Sequence, residues 1–451
     1  MILRWVDERL GTTDWARHGL RKIFPDHWSF LLGEVALFCL VVLVATGVFL
    51  TLFYVPDATP VIYDGPYAPL AGQEVSAAFE SVMRLSFEVR AGLVMRQIHH
   101  WAALVFVAAI TLHVMRVFFT GAFRRPREVN WLIGITLLLL TIAMGITGYS
   151  LPDDLLSGTG LRIIYSAVIG IPFIGPYLAF LVFGGEFPTE TIISRLFVFH
   201  VMLLPALLIG GVLVHLLILW VQKHTQWPGR GAAEDNVVGR SFWPSQVFKS
   251  TGLMLLTAAV LAVMGGLLQI NPIWTYGPFD ATTVSAPAQP DWYVGWLDGA
   301  LRLWPPIEFT ILGVTLPAPF VPGILIPGLL FTTLALWPFI EARVTGDHGP
   351  HHILNRPRDH PVRTGFGVAG LLVFVMLTLA AGNDVAAIIF DIPVEVMTDV
   401  MRLLLVAVPV IGGIVAWRVC SELRRTEQSV LAPPSVRLRR NVEGGFEETD
   451  S

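Results

Sequence analysis

Cysteine is nearly absent from this chain: there are two in 451 residues, Cys39 and Cys420, and each sits inside an apolar run. Two isolated thiols build neither a disulfide framework nor a cysteine-ligated metal site. Charge is scarce as well. Asp, Glu, Lys and Arg make up 14% of the chain against 54% hydrophobic residues, whereas an ordinary soluble domain carries about 25% charged residues. A water-soluble fold is thereby excluded. A cleavable signal peptide is also not visible, because residues 1–30 mix polar and aromatic side chains and the first long apolar run starts near Leu31. The net charge of −4 carries little information in such a chain.

What the chain does have is long apolar runs. Eight exceed the length needed to cross a bilayer, at about 31–54, 92–119, 131–151, 196–221, 248–270, 322–342, 364–382 and 400–420. Twenty-three of the thirty basic residues fall on alternate connections. They include Arg4 to Lys22, Arg124 to Arg127, Lys223 to Lys249, Arg343 to Arg363 and Arg418 to Arg440. The bias of Lys and Arg toward the cytoplasm then puts both termini inside. The expected fold class is an all-α integral membrane protein of eight transmembrane helices. Its expected parts are a cytoplasmic amphipathic segment (1–30), a first four-span unit (31–222), a second (223–421) and a mobile polar tail (422–451).

Four histidines stand out because ionisable groups within a span are costly. His99 and His113 are 14 residues apart in the second span, and His200 and His215 are 15 apart in the fourth. Either interval is close to four helical turns, so each pair lies near one face, about 21 Å apart along the axis. The two spans run in the same direction. His99 is therefore level with His200 near the outer face, and His113 with His215 nearer the cytoplasm. Such a four-helix bundle offers two stacked sites for two haems, each held by two imidazoles. The one-residue mismatch, about 1.5 Å of rise, is expected to be absorbed by helix tilt. His100 leaves a 13-residue register open. Gly33 and Gly47 in the first span, and Gly134 and Gly148 in the third, repeat the 14-residue interval. Glycine lets a bulky group approach the backbone, so Gly47 and Gly148 are expected at the outer level and Gly33 and Gly134 at the inner one.

Two outer connections are more than links. Residues 152–194 hold two short amphipathic runs split at Ile171-Pro172, the pattern of an interfacial helical hairpin. Residues 271–321 are rich in Pro and Trp and contain Pro290-Asp291-Trp292-Tyr293. Asp291 reads either as a proton-accepting carboxylate or as the cap of the following helix. The inner stretch from Asp347 to His352, with His360 beyond, is expected to be a solvated loop without a metal.

In this order, the glycine pairs, the four histidines, Gly148-Tyr149-Ser150-Leu151-Pro152 and the Pro-Asp-Trp-Tyr stretch resemble cytochrome b, the membrane core of the cytochrome bc complexes. The likeness spans residues 20–420. It is similar to the bc1 type in keeping eight spans on one chain, and to the actinobacterial menaquinol branch in Asp291, the His-rich loop and the C-terminal extension. The resemblance implies two non-covalent b-type haems ligated by His99, His113, His200 and His215. It places Arg96, Arg116 and Arg195 near haem propionates and Lys249 at an inner quinone site. Ser250 stands where many relatives have aspartate, so no inner proton donor is named.

The implied activity is quinol–cytochrome c reduction. Quinol, expected to be menaquinol, is oxidised at the outer side with Asp291, Tyr293 and Glu308 as candidate groups. One electron crosses the membrane and the other goes to a Rieske iron–sulfur subunit. The implied partners also include a cytochrome c-type subunit, a terminal oxidase in a supercomplex, and a second copy in a dimer, all in the plasma membrane. The rivals are another dihaem membrane anchor and a proton-coupled transporter.

Overall fold

The computed structural model describes residues 5–449 except 6, 10, 12, 14–16, 18, 284–288, 312, 432–436 and 441–445. Parts of the expected N-terminal segment, the 271–321 connection and the polar tail thus lie outside the described residues. In chain order the helices are α1 (Leu31–Thr51), α2 (Ala77–Phe87), α3 (Gly92–Thr120), α4 (Glu128–Tyr149), α5 (Leu155–Ile169), α6 (Gly175–Phe183) and α7 (Ile192–Gln222). They continue as α8 (Val247–Leu267), α9 (Ile273–Tyr276), α10 (Trp292–Leu303), α11 (Val321–Thr345), α12 (Pro361–Ala380), α13 (Asn383–Phe390) and α14 (Val394–Leu431). Eight of them, α1, α3, α4, α7, α8, α11, α12 and α14, are long and apolar enough to cross a membrane.

The first four spans enclose one core. Ala36, Cys39 and Leu40 of α1, Ala102, Phe106 and Ala109 of α3, Leu137 of α4 and Leu208 of α7 meet there, with Leu261 of α8 closing one side. In sequence, every core residue on α3 and α7 lies between the two histidines of its helix. The apolar packing therefore fills the space between the two histidine levels and holds them apart. Cys39 is buried in this cluster and forms no disulfide. Farther along the chain, α10 packs on α12 through Trp296, Ala300, Leu303, Leu377 and Ala380. Glu341 of α11 and Arg363 of α12 form a bidentate ion pair, with Nε to Oε2 at 2.9 Å. The Arg363 side chain is 2% exposed. Removing one partner of such a pair leaves an uncompensated buried charge and costs about 3–5 kcal/mol.

The extra residue of the fourth span is accommodated inside α7. Phe199–Leu203, which contains His200, forms a π turn, and the Leu204 amide donates to the Phe199 carbonyl. Pro205 follows at once. Proline has no N–H and clashes with the carbonyl four residues back, and a π turn takes up the extra residue within an otherwise regular helix.

Other corrections concern ends and connections. The fourth span begins at Ile192 and the fifth segment at Phe242, several residues before the hydropathy estimate. Residues 55–91 carry structure that was not anticipated: a hairpin of β2 (Pro60–Ile62) and β3 (Glu74–Ser76), and α2 capped by Ser76 Oγ accepting from the Phe79 amide. On the other side of the membrane, β1 (Ile23–Phe24) pairs with β4 (Arg240–Ser241) and fastens the N-terminal segment to the entrance of α8. The expected polar tail does not start at residue 422, because α14 runs on to Leu431. Arg356 and Arg358 both pair with Glu427 at 3.1 Å and tie that extension to the 346–360 connection.

Candidate functional site

The histidines meet as two levels. At the outer level the His99 and His200 rings stand next to each other with centroids 6.3 Å apart and planes inclined at 69°. Two metal–nitrogen bonds of about 2 Å each, plus roughly 1.1 Å from each ring centre to its nitrogen, span that separation. The Nδ1 atoms are already used. His99 Nδ1 lies 2.9 Å from Thr46 Oγ1, and His200 Nδ1 lies 3.0 Å from the Met144 carbonyl and 3.2 Å from Thr147 Oγ1. A partner on Nδ1 fixes tautomer and ring plane and leaves Nε2 as the ligating atom. Both threonines lie on the helix opposite their histidine, Thr46 on α1 and Thr147 on α4.

His100 does not belong to this level. Its Nε2 lies 2.9 Å from Asp291 Oδ2, and its ring stands edge-on to Tyr149. Geometry thus selects the 14-residue register over the 13-residue one.

At the inner level His113 and His215 line one cavity of about 610 Å³ with Gly33, Glu34, Arg116, Arg127, Gly134 and Lys249. The Nδ1 atoms of both histidines lack a side-chain partner, with the Asn130 carbonyl beside His215, and Nε and Nη2 of Arg116 are buried without a hydrogen bond. Burial is also what holds His224, on the same wall, down at about 4, with Lys22, Arg127 and Arg116 adding to it.

Each expected glycine faces an imidazole directly. A Cβ on Gly33 would stand 3.3 Å from His113 Cε1, one on Gly47 3.3 Å from His99 Cε1, and one on Gly134 3.6 Å from His215 Cε1. A Cβ on Gly148 would collide with the His200 ring. The room was expected for a macrocycle; its nearest use is to seat the four rings.

A second, smaller cavity of about 150 Å³ lies on the outer side, between α5, α10 and the end of α4. Asp291, Tyr293, Tyr149, Ser157 and Gly323 are among its walls. Asp291 is the residue before α10, yet its side chain makes no capping bond and goes to His100 instead. Tyr293 is buried, and burial together with Asp291 holds its hydroxyl well above its ordinary pKa. Asp154 escaped sequence reasoning. It is fully buried, caps α5 through Oδ2 and leaves Oδ1 without a partner. Burial pushes its carboxyl up to about 6, against the hydrogen bonds from Ser157 and Leu156. Its sequence signal is an Asp immediately ahead of a helical run, which reads as a cap.

Three further expected positions have other protein surroundings. Glu308 is exposed and lines neither cavity. Arg195 donates to the Phe180 and Leu181 carbonyls at 2.7 Å, satisfying the open end of α6. Arg96 is buried, with both terminal nitrogens 3.1 Å from the Asn271 carbonyl and Nε unpaired. Arg116 and Lys249 do line the inner cavity, and Lys249 also pairs with Asp26 at 2.7 Å. In the His-rich stretch, His351 Nε2 lies 3.0 Å from Asp347 and His352 Nδ1 lies 3.0 Å from Arg127.

An eight-span helical membrane protein with two histidine levels in its first four spans is the class these features define. Residues 104–278 match the family model for cytochrome b (N-terminal)/b6/petB. The chain is 46% identical to the cytochrome bc1 complex cytochrome b subunit of Corynebacterium efficiens, over 94% of this chain and 79% of that one. It is 49% identical to the subunit of the same name from Mycobacterium tuberculosis, over 94% of this chain and 78% of that one. The fold is similar to a solved hyperthermophilic respiratory Complex III, with TM-score 0.68 at 20% identity, covering 93% of this chain and 99% of the other. The chain belongs to the cytochrome b subunits of cytochrome bc1 complexes.

That family implies b-type haem. The residues here fit one: paired imidazoles with Nε2 uncommitted, glycines that clear their rings, and unpaired Arg116 nitrogens in a cavity of about 610 Å³.

Proposed function

We propose that the chain is the cytochrome b of a quinol–cytochrome c oxidoreductase in the plasma membrane, with both termini cytoplasmic. It oxidises quinol at the Asp291 cavity and reduces quinone at the Glu34 and Lys249 side of the inner cavity, the His113 and His215 side being the haem's. The observation that supports this reading is the two-level arrangement, the His99 and His200 rings in contact at one level and His113 and His215 lining one cavity at the other, with the Asp291 cavity beyond the first level. Haems held by these pairs supply one-electron transfer across the membrane. The chain's own residues do the rest. His99, His113, His200 and His215 bind iron through Nε2. Arg116 supplies positive charge for a propionate. Asp291, oriented by His100, accepts a proton from a quinol hydroxyl, and Tyr293 closes the pocket beside it. Cys39 is buried in the apolar core of the first four spans and Cys420 lies on α14, each a free thiol, so they do not make the two-Cys, two-His set of a Rieske centre, and a Rieske subunit takes the other electron. A cytochrome c-type subunit, a terminal oxidase and a second copy of this chain complete the assembly. The quinol is menaquinol.

The test is quinol oxidation by the purified complex against pH, with haem content measured first. Asp291→Asn keeps the bond to His100 but cannot accept a proton, and is expected to lose most of the rate with both haems present. Asp291→Glu, one methylene longer, is expected to keep much more. Full activity of Asp291→Asn across pH 6–8 moves the acceptor elsewhere, and buried Asp154 then replaces exposed Glu308 as the first alternative.

A further inference from the structure

Among the described residues that line the inner cavity, Glu34 is the single carboxylate. It stands in the first turn of α1, one residue past Gly33. One residue is about 100° of helix rotation, so while Gly33 faces His113, Glu34 turns toward α8. Both its oxygens accept a hydrogen bond there. Gln246 Nε2 donates to Oε1 at 2.8 Å and Ser250 Oγ donates to Oε2 at 2.7 Å. The donors are one helical turn apart, and Gln246 also donates to Ser250 Oγ at 3.1 Å. Lys249 lies between them in sequence, lines the same cavity and pairs with Asp26, which also holds Arg240 at 2.7 Å. Asp26 and Lys249 are each more than a third exposed, so this cluster connects the cavity wall to water. The other charged or titratable groups on the wall are His27, Arg116 and His113, Arg127, and His215 and His224, from each element packed around it.

We infer that Glu34 is the residue that delivers a proton to quinone reduced in this cavity, with Ser250 and Gln246 as its positioning residues. The inference rests on the reading proposed above. Two electrons reach the quinone, one from each of two quinols oxidised at the outer side. The Glu34 O–H bond breaks and an O–H bond forms on the quinone oxygen facing α1. The second oxygen takes its proton from water on the same side of the membrane. The carboxylate left behind is stabilised by the two donated hydrogen bonds and takes up a new proton from water beside Lys249 and Asp26. Net, one quinone, two electrons and two protons give one quinol.

The experiment uses the purified complex, reduced with limiting quinol and mixed with excess water-soluble naphthoquinone. The rate at which the lower-wavelength and higher-wavelength haem bands reoxidise is followed from pH 6 to 8. Glu34→Gln is expected to keep both bands in the static spectrum, slow reoxidation at least tenfold and flatten its pH profile. Adding Ser250→Asp to Glu34→Gln puts a carboxyl back within hydrogen-bond reach of the same place and is expected to recover most of the rate and the profile. Reoxidation of Glu34→Gln at the wild-type rate, or failure of the double variant to recover, overturns the inference. If Glu34→Gln does not assemble haem, Ser250→Ala carries the test, with a severalfold slowing and a shifted pH profile expected and wild-type behaviour overturning it. Absence of haem bands in the wild-type complex defeats the cytochrome b reading itself, a separate outcome.

Discussion

The outer and inner histidine levels have the same ligand type and different surroundings. At the outer level every Nδ1 has a protein partner within 3.2 Å, and Gly148 is pressed against the His200 ring. At the inner level neither Nδ1 has a side-chain partner and only the Asn130 carbonyl stands beside His215, Gly134 leaves 3.6 Å to His215, and the space beyond opens into about 610 Å³. A buried polar atom without a partner costs about 1–3 kcal/mol. The outer level is therefore pre-set by the protein, while at the inner level the unpaired Arg116 nitrogens are the donors that an anionic ligand would satisfy.

The sharpest way to break this comparison is to remove ligands. His99→Ala is expected to abolish the outer haem and leave the inner one partly assembled, and His113→Ala the reverse, read from reduced-minus-oxidised spectra. If His100→Ala removes the outer haem while His99→Ala does not, the pairing is wrong.

Next in size is steric pressure. Gly148→Val is expected to perturb the outer haem band strongly, since overpacking a tight interior costs about 1–3 kcal/mol and the first added carbon already meets His200. Gly134→Ala, with room at 3.6 Å, is expected to leave the inner band nearly unchanged. Equal effects from the two would remove the claimed asymmetry.

A smaller effect is expected from Arg116→Gln, which takes away the charge whose Nε and Nη2 face the inner cavity unpaired. Redox titration of the two bands is the measurement. The inner potential should fall while the outer stays, because a positive neighbour favours the reduced, less positive iron site. An unchanged inner potential sinks the propionate role.

The smallest is Thr46→Val. It deletes one hydrogen bond to His99 at 2.9 Å, and loss of such a partner typically lowers metal affinity 10–100-fold. Haem retention under dilution should drop at the outer level only. Retention equal to wild type would mean that the Leu43 carbonyl and ring packing orient His99 without Thr46.

Hydropathy and spacing determined a good deal of this protein. Eight apolar runs became eight spans because a bilayer demands that length and that composition. The histidine and glycine intervals gave the levels, because helical repeat is a local property that a one-dimensional pattern can carry. Tertiary structure decided what depends on neighbours distant in sequence. It sent Asp291 to His100, 191 residues away, and not to the cap of its own helix. It turned Arg195 to the carbonyls of α6, left Glu308 in the open and brought Glu34 to Ser250 across 216 residues. It also placed the extra residue of the fourth span in a π turn beside Pro205, where sequence spacing alone could not choose between a bulge and a tilt. Hydrogen-bond partners are set by which helix faces meet, and that depends on packing the whole bundle at once.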